Sequence, residues 1–285
     1  MTSPKRKPTF VVVIPRFEDI WHSYFAGEII KGVSLAASRL HSDFLVHITD
    51  RSDHASWLTP PLMDRRFFDG IIFADIDNDL EIVKKAIRRG MSCMVLNNML
   101  EEPMNWIGVN NKKAAREVIE YLIDLGHREI ATVAGDISTQ AGLYRLEGYR
   151  EALLTRKITT PRGYIKFGNF LRTPARIAAQ KLLQLKNRPT AIFAASDVMA
   201  MEVINTAKEF RLKVPEDLSV VGFDDNPINV TSSVELSTVS QPLLEMGRRG
   251  AEYLYLISRG KARLPVKEVL PTVFLPRKST AAPHK

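Results

Sequence analysis

"PTAIFAASDVMAMEVINTAKEFRLKVPEDLSVVGFDDNP", residues 189–227, places two short apolar runs on either side of one helical pattern. Ala191–Ala195 and Ser219–Phe223 are apolar without alternation, which predicts strands covered on both faces and hence a parallel sheet. Both runs end in polar residues, Ser196-Asp197 after the first and Asp224-Asp225 after the second. Asp197 is expected to cap the helix that starts there, because a carboxylate accepts the unpaired amide hydrogens of a first turn. Ligands of open α/β sheets lie beyond the carboxyl ends of the strands. Asp224 therefore reads as an acceptor for ligand hydroxyls and Asp225 as a turn residue. Neighbours on an extended chain point to opposite sides, so the two are not expected to chelate one ion.

The same strand–helix unit recurs along the chain. Phe10–Ile14, Phe44–Thr49, Gly70–Ala74, Ser92–Leu96 and Ile130–Ala134 are further apolar runs. Helical stripes follow: Phe25, Ile29, Val33, Ala36, Ala37 and Leu40 in one, and Ala115, Val118, Ile119 and Leu122 in another. The second has Asn110 or Asn111 as a cap and Gly126 as a stop. A third, Leu243, Gly247, Gly250, Leu254 and Ile257, carries two glycines that predict close packing on a neighbour. Only the segment around Pro60-Pro61 breaks the rhythm, so any helix there is short and starts near Pro60. The fold class expected is α/β, with two similar doubly wound parallel sheets of roughly four to six strands each.

Composition excludes several functions. A chain of 285 residues with 45% hydrophobic content buries a large core. The net charge of +8 comes from lysines and arginines interspersed with acids, the pattern of a solvated surface rather than a nucleic-acid patch. Cys93 is the single cysteine and sits in an apolar run, which leaves no disulfide or cysteine metal cluster. "FVVVI" is too short for a signal peptide, and no stretch approaches the ~20 apolar residues of a membrane span. A soluble cytoplasmic protein is expected. Phosphate-loop, dinucleotide, nucleophile-elbow and histidine-metal motifs are all missing, so neither an enzyme nor a bound cofactor or metal is expected. His127, in "LGHREI", lies at the amino end of a strand and reads as structural.

Two more stretches bear on a ligand. In "DISTQAGLYRLEGYREAL", residues 136–153, Leu146, Tyr149 and Leu153 face inward while Arg145, near the helix start, either reaches over the strand ends or faces solvent. In "IPRFEDIWHSYFAGEII", residues 14–30, Phe17, Trp21 and Tyr24 crowd a connection in a way that fits stacking on a flat or sugar-like face.

These stretches, with "YFAGEIIKGV", "FFDGIIFA", "IGVNNKKAAREVIEYLIDLGHREIATVAG", "LSTVSQPLLEMGRRGAEYL" and "LPTVFLPRKST", resemble the effector-binding core of LacI/GalR-type transcription regulators. The likeness runs from about Thr9 to Thr280, and "PEDLSVVGFDD" and "RLEGY" are its most specific parts. It implies an amino lobe of residues 9–109 plus 240–270 and a carboxyl lobe of 110–239 plus 271–280, with a tail at 281–285 and a ligand cleft between the lobes. It also implies a homodimer and a small polar effector: a sugar, a sugar derivative or a purine. Onto this sequence it carries Arg145 as effector donor, Asp224 as hydroxyl acceptor and Phe170 of "FGNFLRTP" as stacking aromatic. Ser196, Gln241, Tyr24 and Asn97 are further pocket positions, Asn97 standing for a frequent aspartate. Phe17, Asp19 and Trp21 of the first loop complete the set. Such regulators begin with a helix-turn-helix headpiece, whereas this sequence reaches its first strand by Phe10. Residues 1–8 are accordingly read as a linker remnant at a mobile end. Its Lys5-Arg6-Lys7 knot can touch phosphates but not read bases, which leaves operator DNA to the absent headpiece. A solute-binding protein of a transport system is the alternative, disfavoured by the lack of a signal sequence.

Overall fold

Alternate residues of the first strand, β1 (Thr9–Arg16), enter different cores. Val11 and Val13 pack with Trp57, Ile71 and Phe73, whereas Phe10, Val12 and Ile14 pack with Ile29, Val33 and Ala36. A strand covered on both sides has no wet face, which is why its sequence is apolar throughout. The computed structural model describes residues 6–16, 23–51, 57–77, 79–227 and 234–284. The chain divides into two compact units, Met1–Val109 with Pro242–Leu270 and Asn110–Gln241 with Pro271–Lys285. The second unit 1 segment begins at Pro242.

Unit 1 holds a six-stranded sheet. Its strands are β1, β2 (Asp43–Asp50), β3 (Gly70–Phe73), β4 (Ser92–Leu96), β5 (Trp106–Val109) and β11 (Lys267–Leu270), in the order β11-β5-β4-β3-β1-β2. Every pairing is parallel. Helices α1 (Tyr24–Arg39), α2 (Leu80–Arg88) and α7 (Leu243–Ser258) cover it. The glycines of α7 do what their spacing predicts: a Cβ on Gly247 would fall 2.4 Å from the carbonyl oxygen of Ile29 in α1. Gly32 of α1 answers it, since a Cβ there would lie 2.0 Å from the Leu244 carbonyl oxygen. The proline pair opens a single 3-10 turn, Pro60–Met63, beside the buried Trp57, whose Nε1 donates to the Asp50 carbonyl at 2.7 Å.

Unit 2 holds a four-stranded parallel sheet, β7 (Ile165–Phe167), β6 (Ile130–Ala134), β8 (Ala191–Ala194) and β9 (Ser219–Val221), in that order. Here too the strands alternate between cores: Ile192 and Ala194 enter one, Ala191 and Phe193 the other. Its helices are α3 (Asn111–Asp124), α4 (Gln140–Thr155), α5 (Arg172–Leu183) and α6 (Asp197–Glu209). A short antiparallel pair, β10 (Thr238–Ser240) with β12 (Val273–Leu275), is an addition to the expected plan. Asn110 is the cap of α3, its side chain accepting from Lys113 N at 2.9 Å. His127 is structural: Nδ1 pairs with Thr190 Oγ1 at 2.9 Å, and Nε2 meets Ser219 Oγ and the Ala281 carbonyl. Burial holds its pKa below the ordinary histidine value.

The amino-terminal knot differs from a mobile arm. Arg6 donates to both Asp69 carboxylate oxygens at 3.0 Å and to the Phe67 carbonyl, while Lys7 lies 3.7 Å from Asp43. Lys5 lies outside the described residues. Cys93 is buried, and burial pushes its thiol up to about 12, so it is inert at neutral pH. Among the described residues no helix is long and apolar enough to cross a membrane.

Candidate functional site

The carboxyl ends of the unit 2 strands gather a buried charge pair. Arg145 lies on α4, which Thr139 starts by accepting from Gly142 N at 3.0 Å directly after the turn that follows β6. Its side chain goes inward and is 3% exposed, which decides between the two fates its sequence left open. Nε donates to Asn111 Oδ1 at 2.8 Å and Nη1 to the Ala195 carbonyl at 2.6 Å. The guanidinium lies 3.6 Å from the Phe223 ring centroid and 5.8 Å from that of Phe170. Nη1 is also 3.6 Å from Asp224 Oδ1, which accepts from Gln241 Nε2 at 2.6 Å.

Burial pushes Asp224 up to about 7, with Arg145 opposing the shift and the nearby Asp197 charge adding to it. The backbone at Asp224 and Asp225 has φ of +124° and +59°, so this stretch is not the extended chain assumed from sequence. The two carboxylates diverge all the same: Asp225 pairs with Arg277 Nη2 at 2.6 Å, the role of a turn residue.

The expected cap shifts by one residue. Ser196, extended at φ −155°, caps α6 with Oγ accepting from Met199 N at 3.3 Å. Asp197 is the first helical residue and is completely buried. Its oxygens accept from Asn226 N at 2.7 Å and Thr238 Oγ1 at 2.6 Å, tying the turn after Asp224 to the start of α6. Phe170 is half-buried, with its ring over Gly135, where a Cβ would fall 2.1 Å from the ring edge. Asn169 and Phe170 both occupy the left-handed region, φ +53° and +62°. Thus Arg145, Asp224, Gln241 and Phe170 form one cluster, with Ser196 next in sequence to the Ala195 carbonyl that Arg145 holds. Two buried amide atoms here have no partner, Gln241 Oε1 and Asn111 Nδ2.

The strand ends of unit 1 carry a second polar group. Asn97 follows β4 at φ +66° and is 6% exposed. Its Nδ2 donates to Asp75 Oδ2 at 3.3 Å. Arg51 Nη2 lies 3.5 Å from Asp75 and 2.5 Å from Asp77. Sequence reasoning missed Asp75 and Arg51. "GIIFAD" places Asp75 just past a strand, the signal that singled out Asp224, but nothing local marks Arg51 as its partner. Tyr24 is the first residue of α1 and half-buried. Phe17, Asp19 and Trp21 lie outside the described residues. Among the described residues no three His, Cys, Asp or Glu side chains are grouped to hold a metal.

A family model described as a periplasmic binding protein-like domain matches residues 119–280. The HTH-type transcriptional regulator CelR of Thermobifida fusca is 30% identical over 259 residues, which is 90% of this chain and 76% of that protein. The HTH-type transcriptional repressor CytR of Escherichia coli K12 is 33% identical over 249 residues, 84% of this chain and 70% of the repressor. The solved CelR–cellobiose complex superposes with a TM-score of 0.84 at 27% identity, covering 97% of this chain and 86% of that one. A lac repressor dimer bound to operator and an anti-inducer shares the fold, with a TM-score of 0.87 at 24% identity over 98% of this chain and 96% of its own. The relatives are transcription regulators rather than enzymes or transport proteins. With their sequence pattern along most of its length and their fold in both units, the chain belongs to the LacI family of transcription regulators, as a ligand-sensing core.

Proposed function

We propose that the chain senses a small uncharged sugar, held in unit 2 by Arg145, Asp224, Gln241, Ser196 and Phe170. The observation that carries this reading is the pairing of Arg145 with Asp224 beside an aromatic ring. Sugars ask for bidentate hydrogen bonds from planar polar groups together with an apolar face, and this cluster offers both. Where Asp224 is ionised, above about pH 7, it meets the charge of Arg145 and little remains to compensate a phosphate or carboxylate. CelR, a relative at 30% identity, has been solved with cellobiose, which favours a sugar over a purine. Asn97 and Tyr24, the other pocket positions that the resemblance names among the described residues, belong to unit 1.

Homodimer formation, a cytoplasmic location and action on operator DNA through a helix-turn-helix domain come to this chain from the same kinship. In that device the effector acts only through its different affinity for two arrangements of the dimer. Isothermal titration with neutral mono- and disaccharides, nucleosides and sugar phosphates tests the reading. A neutral sugar is expected to bind, and Arg145→Ala and Asp224→Ala to abolish the heat. A nucleoside or sugar phosphate binding in preference to every neutral sugar, or no effect of either substitution, overturns it.

A further inference from the structure

Unit 1 and unit 2 use the same device at their strand ends, built from unrelated residues. In unit 2 the Asp224 carboxylate takes the Gln241 amide nitrogen, and Gln241 Oε1 is left buried without a partner. In unit 1 the Asp75 carboxylate takes the Asn97 amide nitrogen, and Asn97 Oδ1 is left buried without a partner.

A carboxylate accepts hydrogen bonds and donates none, so each amide must turn its nitrogen toward the acid and its oxygen away. Asp75 is itself well fixed. Its Oδ1 accepts from Ile76 N at 2.7 Å and Asp77 N at 3.1 Å, a turn closed on its own backbone. Its Oδ2, which holds Asn97, lies 3.5 Å from Arg51 Nη2. Asn98, the next residue, is 1% exposed and points an unpartnered Nδ2 into the protein while its Oδ1 accepts from Ile76 N at 3.3 Å. A buried acceptor and a buried donor left open on consecutive residues are costly in a folded protein unless something fills them.

We propose that Asp75 is a positioning residue within unit 1: it fixes the Asn97 amide so that Oδ1 accepts a hydrogen bond from a hydroxyl of an uncharged ligand. The inference rests on the sugar reading and deepens it. An ionised phosphate or carboxylate has no proton to give Asn97 Oδ1. It also meets two acids, Asp75 and Asp77, against the one Arg51 that pairs with both. A neutral polyol meets neither objection. An aspartate at position 97 would set two carboxylates against each other where Asn97 and Asp75 now form a donor–acceptor pair.

The test is a swap. Affinities for glucose and cellobiose, and for glucuronate and glucose 6-phosphate as anionic counterparts, are measured by calorimetry on the wild type, Asn97→Asp, Asp75→Asn and the double variant. The wild type should prefer a neutral sugar by at least about tenfold, and Asn97→Asp should weaken that sugar by roughly tenfold. The double variant, which restores a donor–acceptor pair in reverse, should return to within about threefold of wild type. A double variant no better than Asn97→Asp, or an anionic sugar bound as tightly as its neutral parent, overturns the proposal while leaving the sugar reading intact. No binding by any of the four probes overturns both. If Asn97→Asp fails to fold, Asn97→Ala takes its place. Adding Asp75→Asn to it should then change affinity by less than about twofold, because Asp75 acts through the amide, and a further tenfold loss would overturn the assignment.

Discussion

Arg145 Nη1 lies 3.6 Å from Asp224 Oδ1, and the two side chains are only 4% and 18% exposed. Each charge is in the protein interior because the other is there. Removing the cation leaves a desolvated carboxylate, a defect that costs about 3–5 kcal/mol when one partner of a buried pair is deleted. Arg145→Ala should therefore cost several kcal/mol in urea unfolding. In an Asp224→Asn background the same change should cost clearly less, because no unpaired charge remains. Equal costs in the two backgrounds would mean that Arg145 stabilises through Asn111, Ala195 and the Phe223 ring alone.

Asp224 also makes the protein respond to pH near neutrality. Its folded pKa, about 7, stands above the ordinary 3.8, with burial the leading cause and Arg145, Asp197 and Gln241 the groups around it. Between those values the folded state holds a proton that the unfolded state has shed. The resulting stability is fully present below about pH 4 and is lost as pH rises through about 7. Ligand binding should run the other way, since a sugar hydroxyl donates best to the ionised carboxylate. Affinity for a neutral sugar should rise from pH 6 to pH 8, and Asp224→Asn should flatten both profiles. A wild-type binding profile that falls over that interval would show that the protonated acid is the binding form.

Much of the fold was legible because buried parallel strands announce themselves. β1 and β8 send alternate residues into two cores, so every position is apolar and the run stands out. β11 and β7 are edge strands, and "KEVL" and "IKF" keep charged and exposed positions that hide a strand among helical surfaces. The site divides in the same way. Asp224 stood out because a strand end marks it, whereas the helix start at Arg145 left an inward and a solvent-facing fate open and only the resemblance favoured the inward one. Asp75 and Arg51 did not stand out, because they meet only after β2, β1 and β3 stack in register, far from each other in sequence. The cap of α6 was misplaced by one residue because Ser196 and Asp197 are both good caps. Only the extended backbone at Ser196 selects between them.

The crossing of α1 over α7 predicts opposite effects for two glycines of one helix. A Cβ on Gly32 would meet the Leu244 carbonyl oxygen at 2.0 Å and the Arg248 nitrogen at 2.7 Å, both backbone atoms that cannot step aside. Gly32→Ala should force the helices apart and cost about 1–3 kcal/mol or more. Gly27, one and a half turns earlier, has nothing within 4 Å of its added Cβ. Gly27→Ala should stabilise by roughly 0.5–1 kcal/mol, because alanine loses less backbone freedom in a helix. Paired thermal melts decide it, and a stable Gly32→Ala protein would mean that the crossing has slack.

Phe170 combines strain with exposure, and the two can be separated. Its backbone sits at φ +62°, where a side chain costs about 1–2 kcal/mol, and its ring, packed over Gly135 on one side, is only half-buried. A bulky residue kept in this conformation points to a use for the ring. Phe170→Gly removes strain and ring together, whereas Phe170→Ala removes the ring and keeps the strain. The glycine variant should be more stable than the alanine variant by about 1 kcal/mol. Both should bind a neutral sugar roughly tenfold more weakly than wild type, the loss expected for one stacking face. Equal sugar affinity in wild type and both variants would remove Phe170 from the ligand site and leave its strained backbone without a function.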